Sequence, residues 1–282
     1  MTFNELEAFI HLRPAGSSTR FNDHTFLNAI RVWADTRGWM IHNPMAGMAK
    51  KKRKSLNTCM KDLVPLERAL RICSGLDPLP PLPENFKLGK KSVIIDFTFL
   101  VPYFALGAFD GVRRIEMIKP VKHQKSRNLL EWEDINWRLN RIDIRDGVAK
   151  KTRRKSSKGD QRYVVMTEPL IAWLKPFAKT TGKIYPCGSD KVSEYMRQLC
   201  ARLGIKRFDQ NTLRHSFASY SVDEFGTAKT ARNMGDAEST IIDKYVEVVE
   251  PGQGKIYFGI LPTSKVIQMP QADAPQMATA AA

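Results

Sequence analysis

Several features that would direct a functional interpretation elsewhere are absent from this sequence of 282 residues. Its four cysteines, Cys59, Cys73, Cys187 and Cys200, are far apart and form no CxxC pair, which indicates neither a zinc site nor a disulfide framework. No apolar run is long enough for a membrane span, and the polar start "MTFNELEAF" does not resemble a signal peptide. No internal repeat is present. These absences predict a cytoplasmic protein with reduced, buried thiols and no membrane partner.

Acidic residues are few relative to basic ones. The chain has 45 lysines and arginines against 29 aspartates and glutamates, a formal net charge of +16 at pH 7. Such a charge favours a polyanionic partner, because phosphates can be neutralised with release of bound counterions. A basic amphipathic helix with a broad apolar face, which acidic lipid would require, is not found. The composition therefore favours nucleic acid over a membrane surface.

The length of the chain favours a short domain beside a longer one. Apolar residues at helical spacing, followed by Gly38, predict a helix at about 22–37. The run "KKKRK" at 50–54 is typical of a solvated linker. The tail after "FGILP" lacks periodicity, which predicts disorder. The expected organisation is a short helical domain at 1–49, a basic linker at 50–60, a large domain at 61–262 and a disordered tail at 263–282.

The large domain is expected to be mainly α with a small antiparallel β-sheet, an α+β class. The stretch "SVIIDFTFLVPYFALGAF" at 92–109 is apolar on nearly all sides and predicts a core helix. The segments "RIDIR" at 141–145 and "RYVVM" at 162–166 predict strands, because the first alternates polar and apolar residues and the second is rich in β-formers. A basic segment, "KKTRRKSSKGDQ", separates them.

Four separated segments carry residues suited to phosphate chemistry: "GVRRIE" (111–116), "AKKTRRK" (149–155), "NTLRHSF" (211–217) and "NMGDAESTIIDKY" (233–245). A phosphodiester under attack gains negative charge on its non-bridging oxygens, and forked guanidinium groups are well suited to bind them. A lysine ammonium can protonate a leaving alkoxide, and a phenol near cations can attack phosphorus. Each segment alone has a simpler interpretation, such as an intrahelical ion pair, a core aromatic or a structural histidine at His215.

In their order and spacing these segments resemble the tyrosine recombinases, or phage-type integrases, over about residues 60 to 261. The resemblance implies that Arg113 and Arg214 bind the scissile phosphate, that Glu116 supports Arg113, and that Tyr245 is the nucleophile. The lysine from the hairpin is best matched by Lys151, with Lys150 as the alternative. It implies no metal and no cofactor, since a phosphotyrosine conserves the bond energy.

The sequence departs from the family pattern at two of these positions. Asn211 stands where the family usually has histidine, so this position can donate a hydrogen bond but cannot titrate near neutral pH. Asp236 stands where the family has histidine or tryptophan, and its carboxylate would repel a phosphate unless Arg113, Arg214 or Lys151 paired with it. The alternative is that Asp236 turns away to Arg232 or a helix end. A slower but still active enzyme is expected.

Two further departures concern length. The basic stretch "KPVKHQKSRN" after Glu116 is typical of an inserted loop, which either contacts DNA or is simply solvated. The residues before the linker resemble only the end of the family's core-binding domain, so 1–49 is expected to be a partial version of it, from a truncated gene or a missed start codon.

The resemblance implies a site-specific recombinase that cuts and rejoins double-stranded DNA through a 3′-phosphotyrosine, for integration or excision of a mobile element. A homo-tetramer would form on DNA, with a monomer or weak oligomer when free. One alternative is a type IB topoisomerase, which relaxes supercoils as a monomer. Another is a decayed integrase remnant that binds DNA without cutting it.

Overall fold

The computed structural model describes residues 18–39 and 42–43 in the amino-terminal part, with isolated residues 5, 8, 9 and 12. It then describes 59–263, except 89–90, 119–127, 146–147, 149–160, 186–187, 206–207 and 209–210. Two compact units divide the chain, Met1–Leu56 and Asn57–Ala282. The linker predicted at 50–60 and the predicted tail lie almost wholly outside the described residues, so both stay predictions. In the part of the chain described here, no helix combines the length and apolarity that crossing a bilayer requires.

The first unit contains one described long helix, α1, at Ser18–Asp35. It begins four residues before the predicted start at 22 and ends two residues before the predicted end at 37. Gly38 adopts a φ of +67° and donates its N–H to the carbonyl of Asp35 at 3.0 Å, a conformation that glycine adopts without strain. Gly38 therefore terminates the helical segment, although the regular helix ends two residues earlier than predicted.

The second unit is mainly helical within the described residues. Its α-helices, numbered in chain order, are α2 (Val64–Cys73), α3 (Val101–Phe109), α4 (Arg114–Met117), α5 (Glu168–Leu174), α6 (Ser189–Leu203), α7 (Thr212–Phe225), α8 (Thr227–Met234), α9 (Glu238–Lys244) and α10 (Gln253–Phe258). Short 3₁₀ turns occur at Thr98–Leu100, Trp132–Asp134 and Lys175–Phe177.

A small antiparallel sheet of three strands, β1 (Ile135–Asn136), β2 (Arg141–Ile144) and β3 (Arg162–Val165), is formed by the described residues. Its order is β1-β2-β3, and Ile142 pairs with Val164. Both of these side chains are buried, so one face of the sheet lies against the core. The predicted class, mainly α with a small antiparallel sheet, is confirmed, and both strands predicted from sequence lie within one residue of their observed bounds.

The core helix predicted at 92–109 is shorter than expected. Residues 92–97 have no regular structure, and the helical part begins with the 3₁₀ turn at Thr98 and continues as α3. Two side chains explain the difference: Gln198 accepts a hydrogen bond from the N–H of Ile94 at 2.9 Å, and Asp96 accepts one from the N–H of Thr98 at 2.8 Å. Asp96 thus satisfies a free donor at the start of the helical segment.

Helix α7 lies at the centre of the second unit, packed against α3, α8 and α10. Its residues from Thr212 to Ser221 are all buried, including the polar ones. Buried hydrogen bonds tie its neighbours together: Tyr257 of α10 donates to the carbonyl of Ala108 at 2.6 Å, and Trp173 of α5 donates to the carbonyl of Ile260 at 2.8 Å. A side chain at the start of α7 is therefore held by a rigid scaffold.

Candidate active site

Arg113 is presented by the sharp turn that follows α3. Gly111 has a φ of +62°, and a Cβ atom there would lie 2.5 Å from Cδ1 of Phe217, so only glycine fits the turn. Arg113 itself precedes α4 with extended backbone angles, and its N–H donates to Oε2 of Glu116 at 3.0 Å. The "RxxE" pattern of the sequence therefore marks the start of a helix, where the Glu116 carboxylate accepts a hydrogen bond from the main chain of Arg113.

Glu116 is fully buried beneath the site. It receives a forked pair of hydrogen bonds from Arg162 at 2.8 and 2.9 Å, and a longer one from Arg113 at 3.3 Å. Burial alone would raise the pKa of Glu116, but the hydrogen bonds and charges of the two arginines outweigh it and lower the pKa to about 2. The carboxylate is ionised at neutral pH and holds both guanidiniums.

Arg214 occupies the first turn of α7 and is only 4% exposed. Its guanidinium donates to the carbonyl of Gly111, to the carbonyl of Met234 at 2.9 Å and to Oδ2 of Asp236 at 2.5 Å. Burial, followed by the charge of Arg113, lowers the pKa of Arg214 from its usual value, although an arginine remains charged at neutral pH. Its buried Nε has no acceptor among the described residues.

Asp236 links the two arginines. Its Oδ2 lies 2.8 Å from Nη2 of Arg113 and 2.5 Å from Nη2 of Arg214. Burial acts to lower the pKa of Arg113, but the charges of Glu116 and Asp236 outweigh it and raise that pKa. Of the two arrangements left open by the sequence, the carboxylate takes the one paired with the arginines rather than turning toward Arg232.

Tyr245 lies directly beside this arginine pair, at the end of α9. The guanidinium carbon of Arg214 is 5.2 Å from the centre of the tyrosine ring, a cation–π distance. The centre of the His215 ring lies 5.0 Å from the centre of the tyrosine ring. Burial lowers the pKa of His215, against smaller opposing effects of the main chain of Tyr245 and the charge of Glu247.

The main chain that follows Tyr245 is fixed along α7. Ser219, one turn beyond His215, accepts a hydrogen bond from the N–H of Glu247 at 2.9 Å. The Glu247 carboxylate in turn accepts the N–H of Cys59 at 2.9 Å, and Ser216 accepts the N–H of Met60 at 2.9 Å. Hydrogen bonds therefore hold both the first described residues of the second unit and the segment after Tyr245 against α7.

The structure thus brings together five of the seven predicted site residues, Arg113, Glu116, Arg214, Asp236 and Tyr245, through the contacts given above. Asn211 directly precedes α7, three residues before Arg214, where it is exposed and its side chain makes no capping hydrogen bond. Lys151, and the alternative Lys150, lie outside the described residues, so the lysine stays a prediction.

Arg162 is a member of the cluster that sequence reasoning missed. It begins β3, two residues before the buried Val164, so strand alternation places both side chains on the inward face. Its guanidinium contacts Glu116 from one side while its Nε donates to the carbonyl of Asn233 at 3.3 Å. The available signal was an arginine at an inward position of a strand, where an unpaired charge would be costly.

Neither a protein-family model nor a curated protein matches this sequence. Among solved structures, the chain is similar to a XerA recombinase, with 14% identity and a TM-score of 0.46, covering 92% of this chain and 82% of that one. It is also similar to an integrase from mycobacterium phage Brujita, with 15% identity and a TM-score of 0.40, covering 95% and 81% of the two chains.

Two guanidiniums on separate elements, a buried carboxylate that holds one of them and a phenol beside the other form a compact anion-binding group. Guanidiniums bind phosphate oxygens in a forked geometry, and they are most effective when buried, since water competes less for them. The ring of Tyr245 lies beside the guanidinium of Arg214. The arrangement is chemically suited to phosphoryl transfer through a covalent tyrosine adduct.

Proposed function

We propose that this chain is a tyrosine-type recombinase that cuts and rejoins double-stranded DNA through a covalent phosphotyrosine. The observation that carries the proposal is the meeting of Arg113 and Arg214 on one anionic group, Asp236, with the ring of Tyr245 5.2 Å from Arg214. An intrahelical ion pair or a core aromatic would not require three distant segments to converge. The net charge of +16 supports a polyanionic substrate.

In the proposed reaction, the oxygen of Tyr245 attacks the scissile phosphorus. A bond forms between phosphorus and the phenol oxygen while the bond to the 5′ oxygen breaks, leaving a 3′-phosphotyrosine and a 5′-hydroxyl. The phenol proton passes to solvent, and Lys151 supplies a proton to the departing 5′ oxygen. Arg113 and Arg214 stabilise the charge that develops on the phosphate, and Glu116 orients Arg113.

The proposal extends to the setting of the reaction. Exchange of strands requires four active sites, so a homo-tetramer on DNA, with a monomer or weak oligomer when free, belongs to the same proposal. So do a role in integration or excision of a mobile element, a cytoplasmic location, and the division into a helical DNA-binding domain at 1–49, a linker at 50–60 and a catalytic domain at 61–262.

A trapping experiment tests the proposed function. A pool of nicked duplexes of random sequence, in which cleavage releases a short oligonucleotide and prevents religation, is incubated with the protein and resolved on a denaturing gel. We expect a covalent protein–DNA band from the native chain and none from Tyr245→Phe. Tyr163→Phe is the matched control, since this tyrosine is exposed on β3, and it should form the band normally. A band of equal strength from Tyr245→Phe would contradict the proposal.

One observation favours a second candidate, a decayed integrase remnant that binds DNA without cutting it. Asp236 forms ion pairs with both arginines, and arginines that are already paired are less able to bind a phosphate. This candidate predicts salt-sensitive binding to duplex DNA without any covalent band, in the native chain and in variants that neutralise Asp236.

A further inference from the structure

We propose that Asp236 is an internal substitute for the scissile phosphate. In the free protein its carboxylate bridges Arg113 and Arg214, the arginine clamp, and it must be displaced before DNA can be cut. This inference rests on the proposed function, since it describes the regulation of the same site. Asp236 therefore does not assist the reaction. Its side chain competes with the scissile phosphate for Arg113 and Arg214.

The contacts of Asp236 are those expected of a bound anion. One oxygen, Oδ2, lies 2.8 Å from Arg113 and 2.5 Å from Arg214, so the same acceptor bridges both guanidiniums. A non-bridging phosphate oxygen bound by both arginines would take the same place. Because both cannot occupy it together, phosphate binding requires the carboxylate to leave.

The two carboxylates of the cluster differ in how firmly they are held. Glu116 is fully buried and receives the forked pair from Arg162 in addition to Arg113, so it is a permanent part of the scaffold. The Asp236 side chain is 16% exposed, and its ion pairs among the described residues are those to Arg113 and Arg214. Asp236 is therefore the exchangeable anion, and its departure leaves uncompensated positive charge for a phosphate to neutralise.

The backbone allows this exchange by rotation of one side chain. Gly235 ends α8 in the left-handed conformation, with a φ of +64°, and the N–H groups of Gly235 and Asp236 donate to the carbonyl of Ala231 at 2.9 and 3.2 Å. These bonds fix the main chain, whereas the Cα–Cβ bond of Asp236 has alternative staggered positions. The carboxylate can leave the clamp without unfolding a helix.

Arg214 also has a buried donor that the Asp236 carboxylate leaves without a partner. Its Nε is buried and lacks an acceptor among the described residues, although a buried donor without a partner is costly. A carboxylate has two oxygens, while a phosphodiester adds further oxygens in a tetrahedral arrangement. A phosphate in the clamp can therefore satisfy a donor that Asp236 leaves unpaired.

The direct test is the affinity of the protein for inorganic phosphate, measured by calorimetric titration at fixed ionic strength. Asp236→Asn keeps the shape of the side chain but removes its charge, and we expect phosphate to bind about tenfold more tightly or better. Asp243→Asn is the matched control, because it removes the same charge from an exposed position of α9, and its phosphate affinity should equal that of the native chain. Equal affinities in all three proteins would overturn the inference.

Neutralising Asp236 also leaves two guanidiniums close together, so the variant could be less stable. Thermal unfolding with and without phosphate turns this into a second test: phosphate should raise the Tm of Asp236→Asn more than that of the native chain. If Asp236→Asn does not fold, Asp236→His, which introduces the residue usual in the resembled family, takes its place in both measurements. A phosphate response no larger than that of the native chain in the folded variant would overturn the inference.

The trapping assay separates the failure of this inference from the failure of the proposed function. If Asp236→Asn binds phosphate more tightly but no variant forms a covalent band, the clamp is closed as inferred and the proposed cleavage activity is wrong. If the native chain forms the band and Asp236→Asn changes neither its rate nor the phosphate affinity, the activity stands and the inference is wrong. A faster band from Asp236→Asn, with unchanged Asp243→Asn, supports both.

Discussion

At the scale of single residues, the central feature is a carboxylate that is entirely buried yet ionised. Glu116 is stabilised in this state by Arg162 and Arg113, which together lower its pKa to about 2 despite burial. Removing one partner of a buried charged group costs much more than removing an exposed ion pair, because the remaining charge has no compensation. Glu116 is therefore expected to support the fold and the position of Arg113 together.

The first prediction concerns Glu116→Gln, which should lower the free energy of unfolding at pH 7 by about 3 kcal/mol, from a pKa of about 2 in the folded state against an ordinary value of 4.5. Since the folded pKa is depressed, this contribution is fully present above about pH 4.5 and is lost as the pH falls toward 2. Urea unfolding of both proteins across this range should show a difference that shrinks with acidity. A difference independent of pH would contradict the assignment.

At the scale of elements, the turn between α8 and α9 connects the arginine cluster to the tyrosine. Gly235 in this turn has a φ of +64°, and a Cβ atom there would lie 2.5 Å from Cδ of Arg162. Its carbonyl accepts a hydrogen bond from Arg113 at 3.1 Å. The turn thus contacts both arginines that hold Glu116.

The second prediction compares two glycines that end helices in the same backbone conformation. Gly204→Ala, at the end of α6, should cost about 1 kcal/mol, because its φ is +68° but nothing lies within 4 Å of a new Cβ. Gly235→Ala should cost more, since it adds a collision with Arg162 to the same backbone strain. Thermal unfolding checks the stabilities, and the trapping assay should show reduced adduct formation for Gly235→Ala alone. Equal costs and equal adduct formation would contradict this description of the turn.

The third prediction concerns the hydrogen bond from Glu247 to Ser219, which fixes the main chain two residues after Tyr245. Ser219→Ala should slow adduct formation by about tenfold with little change in DNA affinity, because a small misplacement of a reacting group is costly to rate. Ser221→Ala is the matched control: it removes a buried hydroxyl of the same helix that contacts Thr230 rather than the tyrosine segment. Equal rates in the two variants would show that Ser219 does not position Tyr245.

Local sequence patterns predicted several of the secondary-structure elements and site residues. They did not predict contacts between segments that are distant in the sequence. The strand at 141–144 follows from alternation, the strand at 162–165 from its β-forming residues, and the arginine at the start of α7 from motif spacing. The irregular backbone at 92–97 depends on Gln198, about one hundred residues later, capturing the N–H of Ile94. Likewise, Asp236 pairs with Arg113 and Arg214 rather than with Arg232 because of how the folded segments lie in space. Local sequence patterns do not contain that information.

At the scale of the whole molecule, the formal charge of +16 should govern encounter with DNA. The fourth prediction is that affinity for a duplex of arbitrary sequence falls steeply with salt, with a slope of log K against log salt of about −5 or steeper, as six or more phosphate contacts would give. Fluorescence anisotropy across a salt series measures it. Tyr245→Phe should give the same slope, since it leaves the charge unchanged. A slope near zero would remove nucleic acid as the partner.

The measurement that tests the central claim most directly is mass spectrometry of the covalent complex trapped on the nicked duplexes. After digestion of protein and DNA, the residual nucleotide should be found on the peptide that contains Tyr245. The result that would contradict the account is a nucleotide attached to any other residue, because the arginine pair, the buried glutamate and the tyrosine would then not form one phosphate site.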